Sequence, residues 1–575
     1  MQHHPRNKNI IQLVLSILII ILIVFISSFF VIRIDLTAEK RYTISPVTKN
    51  ILKNLEDVLF VRIYLDGDLN ISFKKMQRNI RETLNEFRVY ARKNLEYEFI
   101  NPMAEKDEKI RDDVFNELYD KGLKPTNILS TDKEGGTSEK IIFPGAIIVY
   151  RGTELPVNLL KNNPGLDAEE NIHNSIQTIE YELINKIRSL ASKTTEKVAF
   201  IEGQGELDEF QTGDITRELA NYFQVDRGQI NGRHGILDEY KAVIIAKPTK
   251  PFSEADKFVI DQYIMNGGKV LWFIDEVNVS MDSLVNGSTF AFISNLNIED
   301  LLFRYGVRIN PDLIRDIQCN VIPVNRALSG NPANFMPASW LYYPLLSAPA
   351  THPVTRSLNL IKTEFVSSVD TIGARQKLKK TVLLRSSPYS MNISVPRMIS
   401  LEEIKENPDK NQFSSPNIPI AVLLEGIFES AFQNRSIHEY SEDNTSFKKV
   451  SKPNKMLVVS DGDIIRNEIR HTSKGTMIMP LGMDRYTQQY FGNKDFIVNI
   501  VNYMTDQEDL IQLRTKEFEL RLLDRTKIRE ERLKWQIINA VLPVLLIIIS
   551  GIIYNYLRKR RYARLFNHHS NVIKQ

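Results

Sequence analysis

Lys241–Glu276 reads KAVIIAKPTKPFSEADKFVIDQYIMNGGKVLWFIDE. Ala242–Ala246 is a short apolar run rich in β-branched residues, the pattern of a strand buried on both faces. Pro248 and Pro251 interrupt the chain. Ser253 then stands where a helix N-cap belongs, and Glu254 and Asp256 place acids in a first turn, where the helix dipole favours them. Phe258, Ile260, Tyr263 and Ile264 form an apolar helical stripe, and Gly267-Gly268 supplies the left-handed stop. Val270–Ile274 is a second buried strand, and Asp275 and Glu276 sit at its carboxyl end. Strand, helix and strand in this order predict a parallel crossover. In open α/β sheets ligands sit beyond such carboxyl ends, which makes Asp275 and Glu276 the first candidates for chemistry.

Outward from this unit, Lys197–Ile201 is another strand, followed by the loop Glu202-Gly-Gln-Gly-Glu206 and a helix over Thr212–Tyr222. Ala168–Ser192 is a long amphipathic helix with Ile172, Ile176, Ile179, Leu183, Ile187 and Leu190 at spacings of three and four. After Asn310 the pattern loosens, with short strands, many Pro and Ser, and a polar loop at Lys405–Pro416. Strands resume at Ile420–Glu425 and Met456–Ser460, the latter ending in Asp461-Gly-Asp463, and Asn493–Met504 is a helix. The expectation is a doubly wound α/β domain in two parts, 166–309 and 420–506, with an insertion or satellite region at 310–419.

Upstream, residues 33–165 read as a smaller α/β domain. Ser45 and Pro46 start a helix as N-cap and first helical residue. Val58–Leu65, Phe73–Ala91, Leu95–Ile100, Lys106–Asp120, Lys140–Tyr150 and Glu154–Leu159 then follow as strand, helix, strand, helix and two strands. This is a thioredoxin-like outline without a redox CxxC, since the only cysteine is Cys319. Asn162–Leu166 is a linker.

The chain has 575 residues, too many for one core. Its charged fraction of 25% and apolar fraction of 43% are ordinary for globular protein, and a net charge of +4 does not point to nucleic acid. Ile10–Ile32 is uncharged and as a helix spans roughly 34 Å, enough to cross the hydrocarbon core. It is longer than a signal-peptide core and lacks a small-x-small site. Trp535–Leu557 is a second apolar run with Trp535, Tyr554 and Tyr556 near its ends. Arg558, Lys559, Arg560, Arg561 and Arg564 follow it, and Arg6 and Lys8 precede the first. The expectation is a leader (1–9), a span (10–32), a periplasmic ectodomain, a charged stalk helix (507–534), a span (535–557) and a basic tail (558–575), with both termini cytoplasmic in a bacterial inner membrane.

Catalytic signatures are sparse. EGQGE is a glycine-rich turn between strand and helix, but it is neither GxGxxG nor a Walker loop, and its acids repel phosphate; a structural turn is the reading preferred. Glu202, Asp275, Glu276, Asp461 and Asp463 all stand at strand ends, a donor set suited to Mg²⁺ or Ca²⁺ or to acid–base work, although acids there also serve as turn and cap residues. With Gln204 and Glu206 they make up the candidate ligand-facing group. There is no HExxH and no GxSxG, and Cys319 in DIQCNVIP lacks the flanking glycines of a nucleophile elbow. No catalytic residue, metal or cofactor is therefore expected.

Several stretches carry a resemblance: DLTAEKRYTISPVTKNILKNL after the first apolar run, YLDGDL (Tyr64–Leu69), FINP (Phe99–Pro102), VAFIEGQGE (Val198–Glu206), the Lys241–Glu276 unit, and DGDIIRN with FGNKDF (Asp461–Asn467, Phe491–Phe496). Together they resemble the GldG family of gliding-motility-associated ABC transporter auxiliary, so-called substrate-binding, components. The resemblance implies a class I glutamine-amidotransferase-like α/β fold. It also implies a GldF-like permease and a GldA-like cytoplasmic ATPase as partners, and a role in gliding and the associated protein secretion. It supplies no catalytic residues and no defined ligand. The expected function is non-catalytic binding or scaffolding; the alternative is a membrane-bound hydrolase or ligand sensor using the strand-end carboxylates.

Overall fold

The computed structural model describes residues 14–22, 44–104, 107–131, 137–161, 167–191, 196–284, 287–325, 334–349, 351–373, 378–405, 408–435, 447–472, 475–505 and 525–572. It divides into two compact units, Met1–Lys516 and Glu517–Gln575.

After the helical stretch Val14–Leu22, the first unit continues with α1 (Pro46–Lys53). Ser45 caps it as expected, its Oγ accepting from Thr48 N at 3.0 Å. Next come β1 (Leu59–Ile63), α2 (Ile71–Ala91), β2 (Leu95–Phe99) and α3 (Glu108–Asp120). Then follow β3 (Thr126–Thr131), β4 (Thr137–Ile142), β5 (Gly145–Tyr150), β6 (Thr153–Asn158) and α4 (Ala168–Ala191). A four-stranded sheet runs β2-β1-β5-β6, with β1 parallel to β2 and antiparallel to β5, and β5 antiparallel to β6. These are the directions that the βαβαββ order requires. The expected single strand Lys140–Tyr150 is two strands, because Pro144 has no N–H for a ladder. Its first half, β4, pairs with β3 in a separate ribbon. Helix α4, read with the following domain, packs on α2, β5 and β6. It is pinned to α1 by Glu180, which accepts from Ser45 N and Thr48 Oγ1, both at 2.8 Å.

The central sheet adds β7 (Lys197–Glu202), α5 (Gly213–Leu219), β8 (Gln224–Gln229), β9 (Tyr240–Ala246), α6 (Glu254–Met265) and β10 (Lys269–Phe273). After α7 (Glu299–Arg304) come β11 (Lys379–Arg385), β12 (Pro419–Gly426), β13 (Asn454–Val459) and α8 (Asn493–Thr505). The strand order is β11-β12-β13-β10-β9-β7-β8. Strands β8, β7, β9, β10 and β13 are parallel, whereas β12 and β11 are antiparallel. The sheet is thus mixed rather than wholly parallel. Its edge strand β11 lies inside the stretch expected to be an insertion.

Both faces are covered, which explains why the strands read as unbroken apolar runs. Val243, Ile245, Val270, Trp272, Met456 and Val458 share one core with Val259 and Ile260 of α6 and Leu301 of α7. Ile244, Leu271, Phe273 and Val459 share the other with Ile215 of α5 and Phe496 and Ile500 of α8. The Ser253 cap is present, its Oγ accepting from Asp256 N at 3.1 Å. Gly267 has φ +100°, and a Cβ on Gly268 would lie 2.2 Å from the Tyr263 ring.

A smaller core outside the central sheet draws on residues from Val277 onward. Short antiparallel pairings here include Ser288–Ile293 with Arg397–Ser400, Asp312–Asp316 with Ser390–Ser394, and Cys319–Asn325 with Phe335–Leu346. Val277, Leu313, Trp340, Tyr342, Phe365 and Ile393 belong to this core.

The second unit contains one long helix, α9 (Arg525–Val572). Within it Glu531–Arg560 is long and apolar enough to cross a membrane and contains the expected span 535–557. Pro543 sits inside this helix. Of the expected first span only Val14–Leu22 is described, as exposed helix; the rest of 10–32 lies outside the described residues, as do the linker 162–166 and the stalk before Arg525. One candidate spanning helix is therefore seen among the described residues.

Candidate functional site

Strands β10 and β13 are parallel neighbours, so their carboxyl ends meet. Asp275 follows β10, and Asp461 and Asp463 follow β13. One carboxylate oxygen from each lies within 4.8 Å of the others. Three hard oxygen donors at this spacing could hold a divalent cation. The chain's own Lys247 fills that role: its Nζ is 2.9 Å from Asp275 Oδ2 and 2.5 Å from Asp463 Oδ2. Lys247 directly follows β9, with φ +55°, and its N–H donates to Phe273 O at 2.8 Å. Gly462 makes room for it, because a Cβ there would lie 2.5 Å from Lys247 Cβ.

The network extends outward. Arg466 reaches Asp463 at 2.6 Å and Glu364 at 2.8 Å. Asp275 accepts from Gly462 N at 2.5 Å, and Asp461 accepts from Asp463 N at 2.7 Å and Glu364 N at 3.0 Å. Four carboxylates (Asp275, Glu364, Asp461 and Asp463) thus share two cations, Lys247 and Arg466, and the protonation equilibria respond. Burial opposes ionisation of Asp463, but Lys247 and Arg466 outweigh it and hold its carboxyl below the usual range. Burial, reinforced by Asp463 and Asp275, drives Asp461 well upward. Burial also raises Asp275 and Glu364. The Lys247 ammonium resists burial because Asp275 and Asp463 hold it charged. Asp461 is therefore the carboxyl of the cluster that burial and its acidic neighbours push furthest upward.

The remaining sequence candidates sit elsewhere. Glu202 accepts from Arg227 Nε at 2.6 Å, and that guanidinium also donates to Thr212 Oγ1 and Leu207 O, both at 2.8 Å. Gln204 O accepts from Thr249 N at 2.9 Å and Lys250 N at 2.8 Å, and Leu207 N donates to Ala246 O at 2.9 Å. Glu206 accepts from Gln204 N at 2.7 Å, and burial raises its carboxyl. EGQGE is thus stitched to the β9–α6 connection, across the point where strand order reverses between β7 and β9. A ligand crevice at such a switch point is filled here by the chain itself. No hydrogen bond or ion pair among the described residues joins this loop to the aspartate cluster.

Glu276 is 7% exposed and its carboxylate has no hydrogen-bond or ion-pair partner among the described residues. Burial first, then Glu299, pushes it up to about 8. Cys319 is half-buried and burial lifts its thiol to about 11, the opposite of a poised nucleophile.

Sequence reasoning missed a cleft of about 590 Å³ on the small sheet. Tyr64 and the turn Asp66–Leu69 close the carboxyl end of β1, and Asn101–Met103 that of β2. Glu108, Arg111, Asp112 and Phe115 of α3 and Lys140–Ile142 of β4 complete it. The signal was present: YLDGDL and FINP are these two strand ends.

Residues 195–500, more than half of the chain, match the protein family described as "ABC-type uncharacterized transport system". The chain belongs to that family. Residues 38–149 match a second family, described as a domain of unknown function. An uncharacterized protein of Borreliella burgdorferi is 20% identical over 571 residues, covering 97% of this chain and 99% of that one. Among solved structures, the chain resembles the mmIFT52 N-terminal domain at 11% identity and TM-score 0.31, over 54% of this chain and 98% of that one. It also resembles the exo-β-1,4-mannosidase Op5Man5 from Opitutaceae bacterium strain TAV5 at 9% identity and TM-score 0.20, over 68% and 45%. At these scores neither likeness carries an argument.

Proposed function

We propose that this chain is a non-catalytic, membrane-anchored auxiliary component of an ABC transporter complex, acting as a binding platform beside a GldF-like permease and a GldA-like ATPase. In this reading the ectodomain is periplasmic, both termini are cytoplasmic, and the complex serves gliding motility and the associated protein secretion. The amidotransferase-like sheet is the rigid core of the platform. The observation that carries the non-catalytic part is Lys247, whose ammonium takes the place between Asp275 and Asp463 where a metal or substrate would act. Membership of the transport family supports the transporter part, and the apolar stretch of α9 supports the anchor.

The competing reading, a hydrolase or ligand sensor, needs free and accessible carboxylates, whereas Glu202, Asp275, Asp461 and Asp463 each have a protein partner and Glu276 is buried. Affinity purification from mildly solubilised membranes, followed by mass spectrometry, is expected to recover a permease and an ATPase. Recovery of the chain alone overturns the proposal. Loss of function in both Asp275→Ala and Glu202→Ala, with melting temperature unchanged, favours the hydrolase.

A further inference from the structure

We propose that the cleft of the small sheet binds an extended, basic segment of a partner polypeptide. This rests on the auxiliary-component reading and names what such a platform takes hold of. The cleft lies beyond the carboxyl ends of the parallel pair β1 and β2, the end at which open α/β sheets present ligands. Its volume is that of a ligand site.

The floor is apolar. Leu69 and Ile142 are buried in it, and Phe115 packs edge-on against Phe143 with ring centroids 5.4 Å apart. The walls are held in place. Gly67 has φ +106°, and a Cβ there would lie 2.8 Å from Asn101 Nδ2, so the two strand-end loops touch. Asn101 Oδ1 in turn accepts from Met103 N at 3.0 Å.

The rim decides the ligand's charge. Asp66, Asp68, Glu108 and Asp112 face two cations, Arg111 and Lys140. Lys140 is bound to Asp68 at 2.6 Å. Glu108 and Asp112, four apart on α3, share one helix face and have no ion pair among the described residues. The surplus is negative, which repels phosphate and carboxylate ligands and attracts lysine and arginine side chains. A small divalent cation fits less well, because the three-carboxylate group found among the described residues is Asp275, Asp461 and Asp463, not these acids.

The backbone decides the ligand's shape. Strands β3 and β4 pair only with each other among the described residues, and β4 lines the cleft through Lys140–Ile142. A strand with one unpaired edge is a template for an added extended segment. Arg111, a donor without a protein ion pair among the described residues, is placed to take a carbonyl of that segment.

The test uses the full chain in nanodiscs of zwitterionic lipid and a fluorescein-labelled hexapeptide of alternating lysine and leucine, read by fluorescence polarisation against empty nanodiscs. Binding is expected for this peptide and not for its glutamate–leucine counterpart, and it weakens as salt is raised. Glu108→Lys with Asp112→Lys is expected to weaken it at least about tenfold with an unchanged melting temperature; both residues are exposed, so folding is kept. Equal binding of the two peptides, or no effect of the double charge reversal, overturns the proposal. The same variant is carried through the affinity purification. Permease and ATPase recovered without peptide binding by the wild type sinks this inference alone; peptide binding without those subunits sinks the auxiliary-component reading alone.

Discussion

Replacing Lys247 by alanine removes a cation held 2.9 Å from Asp275 and 2.5 Å from Asp463. The three side chains are 18%, 15% and 7% exposed, so solvent screens them little. Asp463 keeps Arg466, but Asp275 is left with only the Gly462 N–H. Breaking one side of a buried pair typically costs about 3–5 kcal/mol, and that is the expected loss at neutral pH. In the variant the Asp275 carboxyl, already raised by burial, rises further. A carboxyl whose folded pKa lies above its unfolded value favours the folded state at low pH and loses that contribution as pH rises through the folded value. The penalty of Lys247→Ala therefore shrinks on acidification.

The assay is thermal unfolding of the full chain in detergent at several pH values, with Asp275→Asn and the double variant completing the cycle. The double variant is expected to regain at least about half the loss, since no uncompensated charge remains. Millimolar Ca²⁺ is expected to stabilise Lys247→Ala, in which no ammonium stands between Asp275 and Asp463, and to leave the wild type unmoved. A loss below about 1 kcal/mol, simple additivity of the two changes, or Ca²⁺ stabilisation of the wild type refutes the reading of Lys247 as a built-in cation.

Glu276→Gln is expected to stabilise the chain, because burial holds the wild-type carboxyl at about 8 against an ordinary 4.5. The folded state binds the extra proton between those values, so wild-type stability falls as pH rises from 4.5 to 8. The variant should be ahead by roughly 2–4 kcal/mol at pH 8 and level near pH 4; parallel pH profiles would show that Glu276 ionises freely. Gly462→Ala has a helical φ of −76° to work with, so any cost is steric. A Cβ 2.5 Å from Lys247 Cβ should lower stability by about 1–3 kcal/mol, and a neutral result in the same melting assay would mean that the β13 loop and Lys247 are not in contact.

Much of the fold was legible because local physics dictated it. The Ser45 and Ser253 caps, the Gly267-Gly268 stop and the α4 and α6 stripes depend on neighbours within a few residues, and all are where their spacing put them. The apolar runs at Ala242–Ala246 and Val270–Ile274 announced strands covered on both faces. Short strands fared worse. β11 was hidden in a Pro- and Ser-rich region, because a seven-residue edge strand has no pattern that distinguishes it from the satellite's ribbons. Its place depends on β12, more than thirty residues downstream.

The candidate site followed the same division. The sequence alone determined that acids stand at the carboxyl ends of strands, that no nucleophile elbow or metal histidine set accompanies them, and that an apolar helix near residues 535–557 is long enough to span a membrane. Composition and spacing carry such information, because each is a property of a short stretch. Only the tertiary structure decided which acids meet. It gathered Asp275, Asp461 and Asp463 from chain positions nearly two hundred residues apart, sent Glu202 to Arg227 and buried Glu276. It also set Lys247, a lysine with no motif around it, among the aspartates. Charge compensation in a buried site is a long-range property: it depends on strand order, and strand order is settled by packing across the whole sheet.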